Sequence, residues 1–359
     1  MQKLAQSWLV LQLSDSPFLL GLDAFLGEIP ILLFSLIGGV VADRMDRRNL
    51  LVGSQLVQMS CAFLLAGLFA FGAVQVWHIL ALSFVVGLAQ AFGGPAYQAL
   101  IPTLVRPEAL SNAIAMNSIQ FNLARVIGPM IGGLALTRLG AAWCFGLNGM
   151  SFLAVIATLL LLGHRYIPPP SGESIFESLK DGLQFIRTQT AMVSLIVLAF
   201  AMTVLGIPMV VFLPVFARDV FHQGPSTFTL LLSMSGAGSV AGALAVASQG
   251  HRASHGRDAL ILLIVLGVFL TVFALSTNLF WSCAFVFLAG GALIAVFALI
   301  TSLVQQIATD RMRGRVMSVF NVAFRGGMPV GSLTVGALVP LFGAPLVLAC
   351  CGVLLAALG

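Results

Sequence analysis

Five ionisable side chains stand inside long apolar stretches: Lys3, Asp23, Glu28, Arg125 and Arg325. An ion in hydrocarbon is costly, and by default it marks a proton relay, a substrate contact or a fixed ion pair. Glu28 lies two residues before Pro30, near the middle of its stretch and far from either end. It is the leading candidate for a side chain that takes up and releases a proton. Asp23 is the second candidate, although its place nearer the end of the stretch predicts a hydrated carboxylate. Arg125 could pair with Glu28, hold an anionic substrate, or form a static pair that fixes helix register. Lys3 has too little chain before it to be assigned a role. Arg325, from the second half, is expected to line a substrate cavity with Gln120, Asn122, Asn148 and Asn321. Hydrogen bonding between helices is the competing role for these amides.

Other chemistries find no support. No nucleophile, base and orienting group cluster at one depth, so no catalytic residue is assigned and the chain is not read as an enzyme. Gly236, Gly238 and Gly242 form a glycine-rich run, but it lies within an apolar helix without a preceding strand or a phosphate-binding lysine, so it predicts helix packing and no nucleotide site. His251 and His255 have the spacing of metal ligands, yet they sit in a loop rich in Ser, Gly and Arg; no metal is assigned. The five cysteines lie in apolar stretches without C-x-x-C spacing and read as small apolar residues. No cofactor is expected.

The elements that position these residues follow from composition. Of 359 residues 59% are hydrophobic and 8% charged, against roughly 25% charged in an ordinary globular domain. With a mean hydropathy of +1.06, this is a membrane protein. Apolar runs bounded by charge and turn residues predict twelve helical spans, near 1–13, 19–41, 50–71, 78–103, 112–136, 142–162, 191–216, 228–248, 259–276, 280–304, 315–339 and 343–359. Alternate loops carry twelve basic residues: Arg44, Arg47, Arg48, Arg106, Arg165, Lys180, Arg187, Arg252, Arg257, Arg311, Arg313 and Arg315. The opposite loops carry Arg138 and Arg218, so the positive-inside rule puts the twelve in the cytoplasm of a cell whose inner membrane holds the chain. Trp77, Trp143 and Trp281 each open a span on the other side, at headgroup level. The net charge of +5 is thus an address in the bilayer and not a nucleic-acid surface.

The longest polar interruption divides the chain into an N-terminal bundle, 1–163, a linker, 164–190, and a C-terminal bundle, 191–359. Within the linker, Ile175, Leu179, Leu183 and Ile186 share one helical face, which predicts an amphipathic helix lying on the inner leaflet or packed on the bundle. An offset of 203 carries Gly39, Gly128, Gly133 and Gly140 onto Gly242, Gly331, Gly336 and Gly343, the mark of a parallel repeat of six spans. The same offset applied to Ala191 lands before Met1, and the first apolar run holds 13 residues before Ser14. The expectation is a truncated chain, or a misassigned start codon, with half of the first span missing.

At the exit of the second span, Gly39, Asp43, Arg44, Arg47 and Arg48 stand in the order of the G-x-x-x-D-R-x-G-R-R signature, and this stretch resembles the major facilitator superfamily. Asp46 replaces the signature's second glycine, which puts its tight turn in doubt. The resemblance implies an all-α fold of two pseudo-symmetric six-helix bundles with a mid-membrane substrate site. It also implies a latch, in which Asp43 docks near Arg313 and Arg315. Gln6-Ser7-Trp8, Arg125-Val126-Ile127-Gly128-Pro129 and Arg313-Gly314-Arg315-Val316 are further similar to the enterobactin-exporter and macrolide-efflux-like branch. That likeness implies export of a small organic molecule, a siderophore or an amphipathic drug, by a monomer working as a proton antiporter, with protons, substrate and the lipid bilayer as its partners. Gly128, Pro129, Gly132 and Gly133 resemble the antiporter G-P-x-x-G-G element; plain helix packing and a gating kink are both open. An importer or facilitator on the same fold, and a degenerate protein that transports nothing, are the rival readings.

Overall fold

The computed structural model describes residues 1–162, 175–248, 255–309 and 312–359, without the side chains of 122, 175–179 and 255. Arg165, His251, Arg252 and Arg311 lie outside the described residues, as do the side chains of Asn122, Ile175, Leu179 and His255. Every regular element described is helical: α1 Gln2–Ser14, α2 Pro17–Arg44, α3 Arg47–Ala70, α4 Val76–Leu100, α5 Leu110–Arg138, α6 Ala141–Leu161, α7 Ile175–Arg187, α8 Thr190–Gly206, α9 Pro208–Val215, α10 Pro225–Ser248, α11 His255–Leu275, α12 Leu279–Ile307, α13 Arg313–Phe342 and α14 Ala344–Leu358. Helices satisfy their own backbone groups, which lipid cannot do.

Ten spans are long and apolar enough to cross a membrane, and one of them, Thr190–Val220, is built from α8, α9 and a π-helical turn, Phe216–Val220. The predicted uniform helix over 191–216 is therefore interrupted, at Ile207-Pro208 and again after Val215, because Pro208 and Pro214 each lack a backbone donor. α1 and α14, the first and last expected spans, have 13 and 15 residues.

The chain forms two compact units. The first comprises Met1–Asp15, Asp23–Ala124 and Ile131–Glu173; the second comprises Ser16–Leu22, Arg125–Met130 and Ser174–Gly359. In the first, α3 packs on α4 and α6; in the second, α11 packs on α12 and α14. The offset of 203 carries the starts of α4, α5 and α6 onto those of α12, α13 and α14. The repeated glycines have structural reasons. Gly140 and Gly343, at φ 88° and 81°, turn the chain into α6 and α14 in a conformation that a Cβ disfavours.

Close helix approach uses small residues in both units, because apolar side chains gain little by leaving lipid for one another. Gly38 of α2 abuts the backbone of Ala91, and Gly87 of α4 abuts that of Gly27. Gly238 and Gly242 of α10 abut the backbone of Phe287 and Gly291, and Gly290 of α12 abuts Ser235. The Gly236–Gly242 run is thus helix packing, as its setting predicts. In α5, Gly132 lies against Met1 of the first unit, whereas the space beside Gly128 is open.

The linker helix α7 lies on α13 of the second unit. A Cβ on Gly182 would meet the Arg315 carbonyl at 2.7 Å, Asp181 pairs with Arg315 at 2.7 Å, and Ile186 is buried, whereas Leu183 is exposed. Many apolar side chains, Leu64, Leu160, Leu244 and Leu354 among them, are exposed on helix surfaces as lipid requires, and Trp77, Trp143 and Trp281 are exposed too.

These contacts predict a contrast. Gly238→Val drives a side chain into the Phe287 carbonyl and should cost about 1–3 kcal/mol, whereas Gly128→Ala meets open space and should leave stability unchanged. Thermal unfolding of purified protein in detergent checks both; a Gly238→Val protein that melts with the wild type contradicts the packing account.

Candidate functional site

The charged motif is assembled by helix ends. Asp46, extended at φ −61° and ψ 112°, is the N-cap of α3 and accepts a hydrogen bond from the Arg48 backbone N–H at 3.0 Å. The turn therefore needs no glycine at this position, which corrects the doubt raised by the departure from the signature. The Arg47 guanidinium donates to the Ala99 carbonyl at 2.9 Å and, more weakly, to Asp43 at 3.4 Å. Arg48 donates to the Leu160 carbonyl at 2.7 Å. Ala99 and Leu160 lie in the last turns of α4 and α6, so both arginines neutralise the negative ends of helices in their own unit. Asp43 is paired to Arg47, four residues on, and Arg315 to Asp181 of the linker helix. Gly39 has open space, and Arg44 and Arg313 are exposed.

The polar interior of the first unit centres on Asp23. The sequence predicts a hydrated carboxylate there; the structure buries it at 8% exposure, because Gln6 of α1 and Ser83 of α4, at 9% and 8%, close over it. Gln6 Nε2 donates to both carboxylate oxygens, at 2.9 and 3.0 Å, and to Ser83 Oγ at 2.5 Å; Ser83 Oγ donates to Asp23 Oδ1 at 2.5 Å. Around this triad, Lys3 pairs with Glu28 at 3.3 Å, with the Glu28 side chain 21% exposed and that of Lys3 82%. Asn148 of α6 donates to Gln2 at 2.6 Å, and Tyr97 donates to Asn117 at 2.5 Å. Gln2, Lys3 and Gln6 thus tie α1 to α6, α2 and α4.

The second unit fills most of the equivalent places with apolar groups; the exception, Ser226, is exposed. The offset of 203 carries Gln6, Asp23 and Ser83 onto Met209, Ser226 and Val286, and Met209 and Val286 are fully buried. Tyr97 and Asn117 fall on Ile300 and Phe320, and Phe320 is part of a ring cluster with Phe297 and Phe324, the last two with centroids 4.3 Å apart. Of the remaining predicted cavity residues, Gln120, Arg125, Asn321 and Arg325 are exposed on their helices, and the Arg125 carbonyl lies against Gly236. Gly133 accepts a hydrogen bond from Thr137, and Pro129 lies within the unbroken α5. Gln2, Gln6, Ser83 and Tyr97 are site residues that sequence reasoning passed over. Gln2 and Gln6, four apart in an apolar helix, carry a signal; Ser83 carries one only beside its apolar counterpart, Val286.

Two six-helix repeats with charge held at helix ends and a buried carboxylate define a multi-pass membrane transporter of the major facilitator type. The fold agrees with solved transporters: the nucleoside transporter NupG superposes with a TM-score of 0.80 at 13% identity, over 99% of this chain and 93% of that one. A POT family transporter in complex with 5-aminolevulinic acid gives 0.75 at 11% identity, over the same shares of 99% and 93%. The family model described as "Transmembrane secretion effector" matches residues 1–359, and the chain belongs to that family. Among curated proteins it is 29% identical over 332 residues to the enterobactin exporter EntS of Shigella boydii serotype 4, covering 91% of this chain and 78% of that one. It is 28% identical, with the same coverage, to EntS of Escherichia coli strain HS.

The N-cap makes its own prediction. Asp46→Ala should cost about 1 kcal/mol and Asp46→Gly, the residue of the signature, only a few tenths. Chemical unfolding in detergent measures both, and equal losses would remove Asp46 from the capping role.

Proposed function

We propose that the protein exports a small organic molecule from the cytoplasm in exchange for protons, by alternating access, and that Asp23 is where the proton binds. The observation that carries this reading is the Asp23 site itself. A carboxylate in an apolar interior is expensive to ionise unless it is compensated. Its hydrogen-bond partners, Gln6 and Ser83, are neutral. Glu28, the sequence's leading candidate, has the cation of Lys3 beside it. Protonation of Asp23 erases a charge held in a buried site. An antiporter needs such a group: proton and substrate must favour opposite states, so that each leaves when the other binds.

Export, rather than import, is supported by the relatives named as enterobactin exporters. A siderophore is accordingly the first substrate to test and an amphipathic drug the second. The arginines and the linker would then face the cytoplasm of a cell whose inner membrane holds the chain.

In everted membrane vesicles energised with an acidic interior, the wild type should accumulate radiolabelled enterobactin or, failing that, ethidium. Asp23→Asn should lower gradient-driven accumulation at least about tenfold, the scale of losing one coupling group worth 1.4 kcal/mol or more, while exchange of internal for external substrate without a gradient continues. Glu28→Gln should keep the proton dependence. Gradient-driven accumulation that survives Asp23→Asn, or equal uptake by the wild type with and without a gradient, would overturn the reading; the latter result is that of a facilitator.

A further inference from the structure

The hydrogen atoms around Asp23 can be counted. The Gln6 amide has two: one is shared between the two Asp23 oxygens and the other goes to Ser83 Oγ. The Ser83 hydroxyl has one, and it goes to Asp23 Oδ1. Two of the triad's three hydrogens end on the carboxylate and the third on Ser83 Oγ, which suits an ionised, acceptor-only Asp23. A protonated Asp23 carries a hydrogen of its own and needs an acceptor, and the arrangement presents two donors. The Gln6 amide can resolve this by turning over, so that Oε1 accepts from the Asp23 hydroxyl and Nε2 leaves both Asp23 and Ser83.

We infer that Gln6 and Ser83 are positioning residues that set the proton affinity of Asp23, and that the Gln6 amide reverses when the proton binds, carrying the protonation state of α2 to α1 and α4. The inference rests on the reading of Asp23 as the proton site. The repeat supplies an independent argument that these side chains do more than hold helices together. At the positions 203 residues on, the second unit has Met209 and Val286, both fully buried, in place of Gln6 and Ser83, so the fold does not require an amide and a hydroxyl there; Ser226, in place of Asp23, is exposed. Nor is the triad a metal site: no group of three or more His, Cys, Asp or Glu residues suited to a metal occurs among the described residues. The other titratable groups of the helices packed here are the Met1 amino group and Lys3 at the start of α1, Asp15 at its C-cap, Glu28, Asp43 and Arg44 on α2, and His78 and Tyr97 on α4. Lys3 is paired with Glu28 and its charge also acts on Asp23, while His78 accepts from the Gln75 backbone, at the end of α4 five residues before Ser83. Cys144, on α6, bonds to the Gly132 carbonyl.

The test is infrared difference spectroscopy of the full chain in lipid, titrated with pH and without substrate. The wild type should show the carbonyl band of a buried protonated carboxylic acid, and Asp23→Asn should abolish it. Gln6→Met and Ser83→Val, which install the residues of the second unit, each remove a donor to the ionised form. Each should therefore move the disappearance of the band to higher pH by about one unit, a tenfold change in proton affinity, and should shift its frequency. Gln6→Asn, which keeps an amide but shortens its reach, should move it the same way. Bands in Gln6→Met, Gln6→Asn and Ser83→Val that titrate with the wild type, while Asp23→Asn lacks its band, would overturn the positioning role and leave Asp23 as the proton site. A band that persists in Asp23→Asn would remove the proton site and the inference together. Thermal unfolding of each variant separates a shifted titration from a damaged bundle.

Discussion

A carboxylate held in an apolar interior by neutral donors is the constraint around which the first unit is arranged. Asp23 cannot be left without partners there, since an unpaired buried polar group costs far more than a made hydrogen bond returns. One helix cannot supply those partners alone: Gln6 comes from α1 and Ser83 from α4. The short α1 is thereby fastened on three sides, by Gln6 to Asp23 and Ser83, by Lys3 to Glu28 and by Gln2 to Asn148. The corresponding helix of the second unit is held by the buried side chains of Met202, Met209, Phe212 and Leu213, and needs no such network.

That contrast separates frame from chemistry. The frame is shared: glycines in positive φ open α6 and α14, and small residues bring α2 to α4 and α10 to α12. The charged motif belongs to the frame as well, because Arg47 and Arg48 spend their hydrogen bonds on the ends of α4 and α6. Among the described residues, only the first copy of the repeat carries a buried acid with its donors. A proton on Asp23, as proposed, would act on one unit while the second has no buried acid among the described residues, which is the asymmetry an ion-coupled transporter can use.

Much of the frame was legible in the sequence, because hydropathy, charged loops and the 203-residue offset are each set by local composition. The helix starts at Val76, Leu110 and Ala141 and their counterparts lie within two residues of the predicted span starts and share that offset. The site was less legible. Asp23 reads as hydrated when only its depth along one helix is considered; its burial depends on the rotational phase of α1 and α4, which a single sequence does not reveal. Asp46 reads as a flaw in a glycine turn until the structure shows it capping α3, a role open to Asp and Gly alike. Lys3, without meaning in the sequence, gains one from Glu28, 25 residues away.

The central claim is that Asp23 carries the proton that transport exchanges for substrate. Proteoliposomes enclosing a pH-sensitive dye test it most directly: an imposed gradient of substrate, with no initial pH difference, should drive protons the opposite way in the wild type and in Glu28→Gln, and should drive none in Asp23→Asn. Substrate-driven proton movement that persists in Asp23→Asn would contradict the account.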